Sequence, residues 1–209
     1  MNLDVLLRII FSYTVGSVSG SMVVGTLKGV DIRTMGSGNA GGTNAFRTQG
    51  LVFALAVIFI DILKGFVATF FISGDLGEGG LSGILCGIAA VLGHVYPVYY
   101  GFKGGKGAGT LVGILIALYP LGLLPVFSIW LIVLVLTGYV GLSTMLAGLS
   151  YPAVIYLYYP GGFQTSMGYF SLVIATFLVF THRSNIMRML QGNENRFEKI
   201  MIFRSTKES

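Results

Sequence analysis

The sequence predicts an all-α, polytopic membrane helix bundle, and three observations carry this prediction. Of the 209 residues, 54% are hydrophobic and 10% are charged, whereas a soluble globular domain has about 25% charged residues. The mean hydropathy is +0.82, and the apolar residues form long runs separated by clusters of Gly, Pro, Asn and Ser. So few charges cannot cover a water-facing surface, but a bilayer needs no such cover. We therefore expect one transmembrane domain over residues 1–209.

Seven apolar runs predict about seven transmembrane helices. They cover approximately residues 9–27, 51–72, 81–100, 107–119, 121–137, 142–159 and 165–181. The first three reach the roughly 20 residues that span a bilayer. The later runs are shorter, and the fourth could be a helix that does not cross the full hydrocarbon core.

Basic residues orient this bundle. Cytoplasmic loops carry an excess of Lys and Arg, and the opposite loops here hold Asp75 and Glu78 and neither Lys nor Arg. We therefore expect the N-terminus outside and the C-terminus in the cytoplasm. This topology also explains the net charge of +5 without a nucleic-acid partner. Eleven of the thirteen basic residues fall on the cytoplasmic side, namely Lys28, Arg33, Arg47, Lys103, Lys106, Arg183, Arg188, Arg196, Lys199, Arg204 and Lys207.

The first polar segment, residues 36–47, combines glycines with short polar side chains and an arginine. Glycines expose main-chain N–H groups and a guanidinium binds two oxygens at once, a combination that suits a phosphate group. A G-x-G-x-x-G spacing is present, but no strand precedes it, so a dinucleotide site is rejected. An ordinary Gly/Asn/Ser loop is the alternative. The candidate ligands are Ser37, Gly38, Asn39, Gly41, Thr43, Asn44 and Arg47.

The second polar segment, residues 93–110, carries two lysines among glycines. It is not a P-loop, because Tyr100 stands where the first Gly is required and Gly107 follows Lys106. A helix that starts after Gly107 would direct its N-terminus at a bound anion. A basic loop attracted to anionic lipid headgroups is an equally good interpretation of this segment alone. The candidate ligands are His94, Gly104, Gly105, Lys106 and Gly107.

The third polar segment, residues 182–197, contains His182, Asn185 and Glu194. His182 and Asn185 are three residues apart and share a face if the helix continues. Either His94 or His182 could act as a general base, although each is more often a hydrogen-bonded structural residue. Two histidines with scattered carboxylates make a weak metal site, so we expect neither a metal nor another cofactor.

Asp61 and Lys64 lie inside the second apolar run. Buried charges are costly in a bilayer and indicate function by default. Their spacing of three residues also permits a mutual ion pair, which we favour, with support of the polar loops as a secondary role. Gly16-x-x-x-Gly20 and Gly83-x-x-x-Gly87 predict close helix contacts.

Together these motifs resemble those of the bacterial acyl-phosphate:glycerol-3-phosphate acyltransferase family, from about residue 16 to 197. In Thr137–Ser143, Gly138 and Gly141 replace an Arg and a Ser often found in the family, so this loop is expected to contribute less to binding. The matching segments are Ser37-Gly38-Asn39-x-Gly41-x-Thr43-Asn44 with Arg47; Asp61-Ile62-Leu63-Lys64-Gly65; Gly93-His94-x-x-Pro97 with Gly104-Gly105-Lys106-Gly107; and His182-Arg183-x-Asn185-Ile186 with Gly192-x-Glu194-Asn195.

The resemblance implies transfer of an acyl group from acyl phosphate to the sn-1 hydroxyl of glycerol 3-phosphate. The products would be 1-acyl-glycerol 3-phosphate (lysophosphatidic acid) and phosphate, in the first step of phospholipid synthesis. The site would face the cytoplasm from the bacterial inner membrane, with membrane lipid around the protein and no obligate protein partner. A small transporter or channel for an organic phosphate is the alternative, and a sensor has only the helix count in its favour. The polar motifs lie at one face rather than at the midplane, which disfavours a transporter.

The resemblance also implies roles for individual residues. Ser37, Arg47, Lys106 and Asn185 would hold phosphate groups. The glycines of the second segment would supply main-chain donors and close approach, while His182 and Glu194 would position the tail and the substrate. No H-x-x-x-x-D signature is present, so the proton is expected to pass with help from the substrate phosphate. The predicted catalytic residues are Ser37, Arg47, Lys106, His182 and Asn185, and the predicted substrate contacts are Gly38, Asn39, Gly41, Thr43, Asn44, His94, Gly104, Gly105, Gly107 and Glu194.

Overall fold

The computed structural model describes residues 3–74 and 80–202, and the regular elements in these ranges are all helical. Short 3-10 turns join several of the helices, and α4 continues into a π-helical turn, Ala68–Ile72. Asp75, Glu78, Arg204 and Lys207, which entered the topology prediction, lie outside the described residues. The α-helices are α1 Leu3–Gly16, α2 Gly20–Lys28, α3 Gly42–Gln49, α4 Leu51–Val67, α5 Leu81–Val95, α6 Ala108–Leu118, α7 Leu123–Thr137, α8 Val140–Tyr158, α9 Ser166–Thr181 and α10 Arg183–Leu190.

Every predicted apolar run coincides with a helix, but not every helix is long enough to cross a membrane. α9 and α10 qualify only as one span bent by 50°, and α6 has 11 residues. At 1.5 Å per residue, α6 covers roughly half of the ~30 Å hydrocarbon core. Residues 3–74 and 80–202 therefore contain five helices long and apolar enough to cross a membrane, or six if the bent pair is one span, and the count of seven stays a prediction. The five are Leu3–Lys28, Leu51–Ile72, Leu81–Tyr100, Pro120–Thr137 and Val140–Tyr158.

The chain forms two compact units that meet in sequence at Pro120 and Leu121. In the first unit, α1 packs on α5, and α4 packs on both α3 and α6. In the second unit, α8 packs on α7 and α9. Large apolar side chains remain exposed on α7, including Leu124, Phe127 and Ile132, which is the pattern of a lipid-facing helix.

Small residues let the helices of the first unit approach closely. A Cβ at Gly16 would collide with the main chain of Ala90, and one at Gly20 would collide with the Val57 carbonyl. These contacts confirm the close helix packing that the Gly16-x-x-x-Gly20 pattern predicted. Cys86 is fully buried.

The first span is interrupted. α1 ends at Gly16 and α2 begins at Gly20, so residues 17–19 break the helix in the middle of an apolar run. Main-chain groups at such a break lose their helical partners and need others when no water is present. The partners here come from the second span and belong to the candidate site.

Candidate active site

Asn44 holds the shape of the first glycine-rich loop. Its side chain is 1% exposed. Its Nδ2 donates to the carbonyls of Ile32 at 2.9 Å, Met35 at 3.1 Å and Asn39 at 3.0 Å, and its Oδ1 accepts from the Ser37 N–H at 2.9 Å. Donor and acceptor are both used by the loop. Asn44 therefore supports the loop from inside, and its predicted substrate contact stays a prediction.

The other predicted residues of this loop line its more open side. Ser37, Asn39 and Thr43 are half-buried, and Gly38 is exposed with a φ of +73° that favours glycine. α3 begins directly after the loop, so the first-turn N–H groups, which have no partner within the helix, adjoin it. Arg47 is half-buried in the last turn of α3. This arrangement suits a small anion.

The second glycine-rich loop folds back on the end of α5. Gly104 donates its N–H to the Val95 carbonyl at 3.2 Å, and Gly105 donates to the His94 carbonyl at 3.1 Å. These two N–H groups fasten the loop to α5, and the predicted role of the glycines toward a ligand stays a prediction. A Cβ at Gly105 would collide with the His94 ring, so the loop lies close against that side chain.

Lys106 follows this fastened stretch. Its side chain is half-buried, whereas that of Lys103 is exposed. Gly107 has a φ of +92°, and α6 begins at the next residue. The predicted helix start after Gly107 is confirmed, so a cationic side chain stands beside a helix N-terminus. Both features favour an anion here.

Arg33 brings the two glycine-rich loops together within the first unit. Its NH1 donates to the carbonyls of Tyr100 at 3.1 Å and Lys103 at 3.4 Å. Its Nε and NH2 donate to the Asp31 carboxylate at 2.8 to 3.1 Å. From the sequence, Arg33 counted only as one of the cytoplasmic charges. The Asp-x-Arg spacing just before the loop was the available signal.

The Asp31–Arg33 pair lies in a turn between α2 and the first loop, outside the candidate spans. The hydrogen bond from Arg33 holds the pKa of the Asp31 carboxyl below its ordinary value of 3.8. The same bond raises the pKa of the Arg33 guanidinium. Both shifts favour the ionised pair, so the link between the loops is intact at neutral pH.

Asp61 and Lys64 form the predicted ion pair and also serve the broken first span. Lys64 Nζ lies 3.0 Å from Asp61 Oδ1. Lys64 Nζ donates to the Val18 carbonyl at 2.8 Å, and the Gly20 N–H donates to Asp61 Oδ1 at 3.2 Å. Both side chains are buried. The pair therefore supplies partners for the Val18 carbonyl and for the Gly20 N–H at the start of α2.

His94 lies between this pair and the second loop. Its Nδ1 is 3.4 Å from Asp61 Oδ1 without satisfying hydrogen-bond geometry, and its side chain is 3% exposed. The other edge of the ring faces Gly105. His94 thus lies behind the loop in a supporting position, and its predicted substrate contact stays a prediction.

The second unit contains the third polar segment, and its centre is Glu194. Asn185 Nδ2 donates to Glu194 Oε1 at 2.9 Å, and Arg188 Nε donates to Glu194 Oε2 at 2.6 Å. Asn185 and Glu194 are 7% and 8% exposed. Both carboxylate oxygens are therefore engaged by α10, and the chain after α10 is held against that helix.

His182 closes α9 and precedes α10. Its Nδ1 lies 2.8 Å from the Leu178 carbonyl. A carbonyl oxygen only accepts, so Nδ1 carries the proton and the neutral ring has its lone pair on Nε2. His182 is buried, in agreement with a hydrogen-bonded structural histidine, and its predicted positioning role stays a prediction.

Other residues of the second unit fill the space beside the loop near residue 140. A Cβ at Gly141 would press on the Asn185 side-chain amide. Gly138 caps α7 with a φ of +73°, and its carbonyl accepts from the Phe197 N–H at 2.8 Å. The two glycines thus make room for Asn185 and for the returning tail.

The first and second polar segments meet within the first unit, and the third belongs to the second unit. Over residues 3–74 and 80–202, no three His, Cys, Asp or Glu side chains come together as a metal site would require. The polar segments of the first unit offer arginine, lysine, serine, asparagine and main-chain donors, which are groups that bind phosphate well.

Known proteins match this chain over nearly its whole length. A family model described as "Glycerol-3-phosphate acyltransferase" matches residues 6–192. The glycerol-3-phosphate acyltransferase of Chlorobium phaeobacteroides is 40% identical in an alignment of length 221. The alignment covers 90% of this chain and 94% of that protein. The protein of the same name from Aquifex aeolicus is 38% identical over 192 residues, 92% of this chain and 98% of its own.

Two crystal structures of PlsY, an integral membrane glycerol 3-phosphate acyltransferase, share the fold. The glycerol 3-phosphate form has a TM-score of 0.84 and 38% identity. The lysophosphatidic acid form has a TM-score of 0.82 and 37% identity, and each alignment covers 92% of this chain and 95% of the other. The predicted polytopic, all-α membrane fold is confirmed. With the match over residues 6–192, this chain belongs to the glycerol-3-phosphate acyltransferase family.

Proposed function

We propose that this protein transfers an acyl group from acyl phosphate to the sn-1 hydroxyl of glycerol 3-phosphate. The products are 1-acyl-glycerol 3-phosphate and inorganic phosphate. One observation carries the proposal: the family match over residues 6–192 includes all of the predicted catalytic residues. They are Ser37, Arg47, Lys106, His182 and Asn185.

The first unit supplies most of the phosphate-binding groups in this proposal. Ser37 precedes the start of α3, Arg47 lies in the last turn of α3, and Lys106 precedes the start of α6. Cationic side chains and helix N-termini both stabilise phosphate charge. Asn185, of the second unit, is the fourth predicted phosphate ligand. Its amide already donates to Glu194 at 2.9 Å, so its orientation is set before a substrate binds.

The reaction needs little from a protein base. The sn-1 oxygen attacks the acyl carbonyl carbon, the bond from that carbon to the phosphate oxygen breaks, and phosphate leaves. The hydroxyl proton passes to a phosphate oxygen of the substrates. The geometry supports this, since His94 is buried behind Gly105 and His182 Nδ1 binds the Leu178 carbonyl. Loss of the single-turnover step in His182→Ala or His94→Ala, with substrate binding retained, would restore a protein base.

A cytoplasmic site in the inner membrane completes the proposal. If the bent pair and the short helix α6 both cross the membrane, the chain crosses seven times. The basic loops then favour an N-terminus outside and a C-terminus in the cytoplasm. The family match extends through both units, which supports one acyltransferase domain over residues 1–209. A phosphatase reporter fused to the C-terminus should be inactive in intact cells. Periplasmic activity of that fusion would contradict the topology.

The activity can be tested directly with the purified protein in detergent. Phosphate release should require both acyl phosphate and glycerol 3-phosphate. Arg47→Ala should raise the KM for glycerol 3-phosphate or abolish turnover, whereas Arg183→Ala should not. Arg183 is a suitable control because it is exposed and donates to the Phe180 carbonyl. Folded protein that releases no phosphate in the presence of both substrates would refute the proposal.

A further inference from the structure

The second glycine-rich loop contains a strained turn. Gly101 and Phe102 have φ values of +64° and +59°, and Phe102 is the non-glycine residue with positive φ in the described part of the chain. The left-handed conformation is unfavourable for a residue with a Cβ. Such a conformation persists only where its surroundings hold it, and it is often found at functional sites.

Arg33 binds the carbonyls on both sides of this turn. Tyr100 precedes Gly101 and Lys103 follows Phe102, and Arg33 NH1 donates to both carbonyls, at 3.1 and 3.4 Å. The Phe102 N–H donates to the Pro97 carbonyl at 2.9 Å. The guanidinium thus bridges the residues on either side of the strained pair. Its Nε and NH2 groups donate to the Asp31 carboxylate at 2.8 to 3.1 Å, which fixes its orientation.

The turn decides where Lys106 lies. Beyond it, Gly104 and Gly105 are fastened to the end of α5, and α6 begins two residues after Lys106. If the turn relaxed to an extended conformation, the stretch from Lys103 to Lys106 would lose its register on α5. Arg33 lies only three residues before the first glycine-rich loop in the chain. Its hydrogen bonds to the second loop therefore also set the distance between the two loops.

We propose that Arg33 is a positioning residue, which clamps the strained Gly101–Phe102 turn and thereby holds Lys106 in place for the phosphate-bearing substrate. This inference rests on the proposed acyl transfer. Lysine cannot replace arginine in this position, because an ammonium group has no planar fork with which to bind a carboxylate on one edge and two carbonyls on the other.

Steady-state kinetics of Arg33→Ala and Arg33→Lys test the clamp. Both variants should lose about tenfold or more in kcat/KM for glycerol 3-phosphate, chiefly through a higher KM, because small misplacements of binding groups cost this much. Lys28→Ala is the matched control, since it removes one exposed positive charge five residues away. Arg33 variants whose KM and kcat equal those of Lys28→Ala would overturn the proposal.

A second substitution separates the clamp from a general effect on folding. Phe102→Gly removes the cost of positive φ, so it should leave the otherwise unchanged protein fully active. In the Arg33→Ala background it should restore about threefold or more of the lost kcat/KM, because the turn then forms without support. If Phe102→Gly restores none of the kcat/KM that Arg33→Ala loses, Arg33 does not act by clamping the turn, and the proposal is overturned.

Limited trypsin digestion reports on the loop without reference to activity. Lys103 is exposed, and cleavage after it should be faster in Arg33→Ala than in Lys28→Ala. If Arg33→Ala does not fold, Asp31→Asn supplies the milder test, with the same direction of change in KM and in cleavage rate. An unchanged rate and KM in Asp31→Asn would then overturn the clamp.

Failure of this inference is distinguishable from failure of the proposed function. Unmodified protein that releases no phosphate refutes the acyl transfer itself. Active unmodified protein, together with Arg33 variants that behave like Lys28→Ala, refutes only the clamp.

Discussion

Lys64 Nζ lies 3.0 Å from Asp61 Oδ1, and each side chain also binds the main chain at the break between α1 and α2. An unpaired main-chain polar group costs several kcal/mol where no water can reach it. The carboxylate and the ammonium group substitute for helix bonds that residues 17–19 do not make. The ion pair is therefore part of the structure of the first span.

Breaking this pair should destabilise the protein strongly. Asp61→Asn and Lys64→Met each leave a buried charge without its partner, which costs roughly 3–5 kcal/mol. For a chain of this size we expect the Tm in detergent to fall by about 10 °C, measured by intrinsic fluorescence. Asp4→Asn is the control, because it breaks the exposed pair of Asp4 with Arg8 and should cost at most about 1 kcal/mol. Equal Tm values for all three variants would contradict this account.

The contact between Asn185 and Glu194 should depend on one partner donating and the other accepting. Asn185→Asp places two carboxylates at a 2.9 Å contact, so turnover should fall about 100-fold with a lower Tm. Adding Glu194→Gln reverses the direction of the hydrogen bond and should restore the Tm and part of the turnover. Assays of the two single variants and the double variant check this. A double variant worse than both single ones would contradict the prediction.

Gly105 should not tolerate a side chain, whereas Gly109 should. A Cβ at Gly105 would collide with the His94 ring, and one at Gly109 would come within 3.3 Å of Asp61 Cβ only. We expect Gly105→Ala to lower kcat/KM by about tenfold or more, because Lys106 would be displaced. Gly109→Ala lies in the first turn of α6 and should retain activity. Similar kinetics for the two variants would refute the close approach at Gly105.

The Asp31–Arg33 pair should weaken in acid. The pKa of Asp31 is lowered in the folded protein, so the pair stabilises the fold fully above the ordinary carboxyl pKa of 3.8. This stabilisation is lost as the pH falls through the lower folded pKa. The Asp31 side chain is 35% exposed, so Asp31→Asn should lower the Tm at pH 7 by only about 1–3 °C. That difference should shrink as the pH falls below 3.8 and through the lowered pKa of the Asp31 carboxyl. A Tm difference that is independent of pH would contradict the prediction.

Several site features could be predicted because they depend on residues close together in the chain. The spacing of Asp61 and Lys64 placed them on one helical turn, and the pair is present. The glycines and Lys106 before an apolar run predicted the start of α6, which is also present. Helical periodicity is local, so short stretches of sequence are enough to reveal it.

Other features were missed because their partners are distant in the chain. Arg33 binds Tyr100, 67 residues away, and Lys64 binds Val18, 46 residues away. The break at residues 17–19 was hidden inside an apolar run, although serines flank Val18. The sequence also did not reveal that the Asn44 amide binds three carbonyls of its own loop. No local pattern states which carbonyl a donor will meet.

The sequence by itself determined the membrane class of this protein, its helical runs, its polar segments and the family to which they belong. These properties follow from composition, from periodicity and from the order of short motifs. Only the tertiary structure decided which polar groups support the site and which remain for a ligand. The reason is that helix packing sets the distances between groups. The N–H groups of Gly104 and Gly105 went to α5, and Arg33 became the link between two loops.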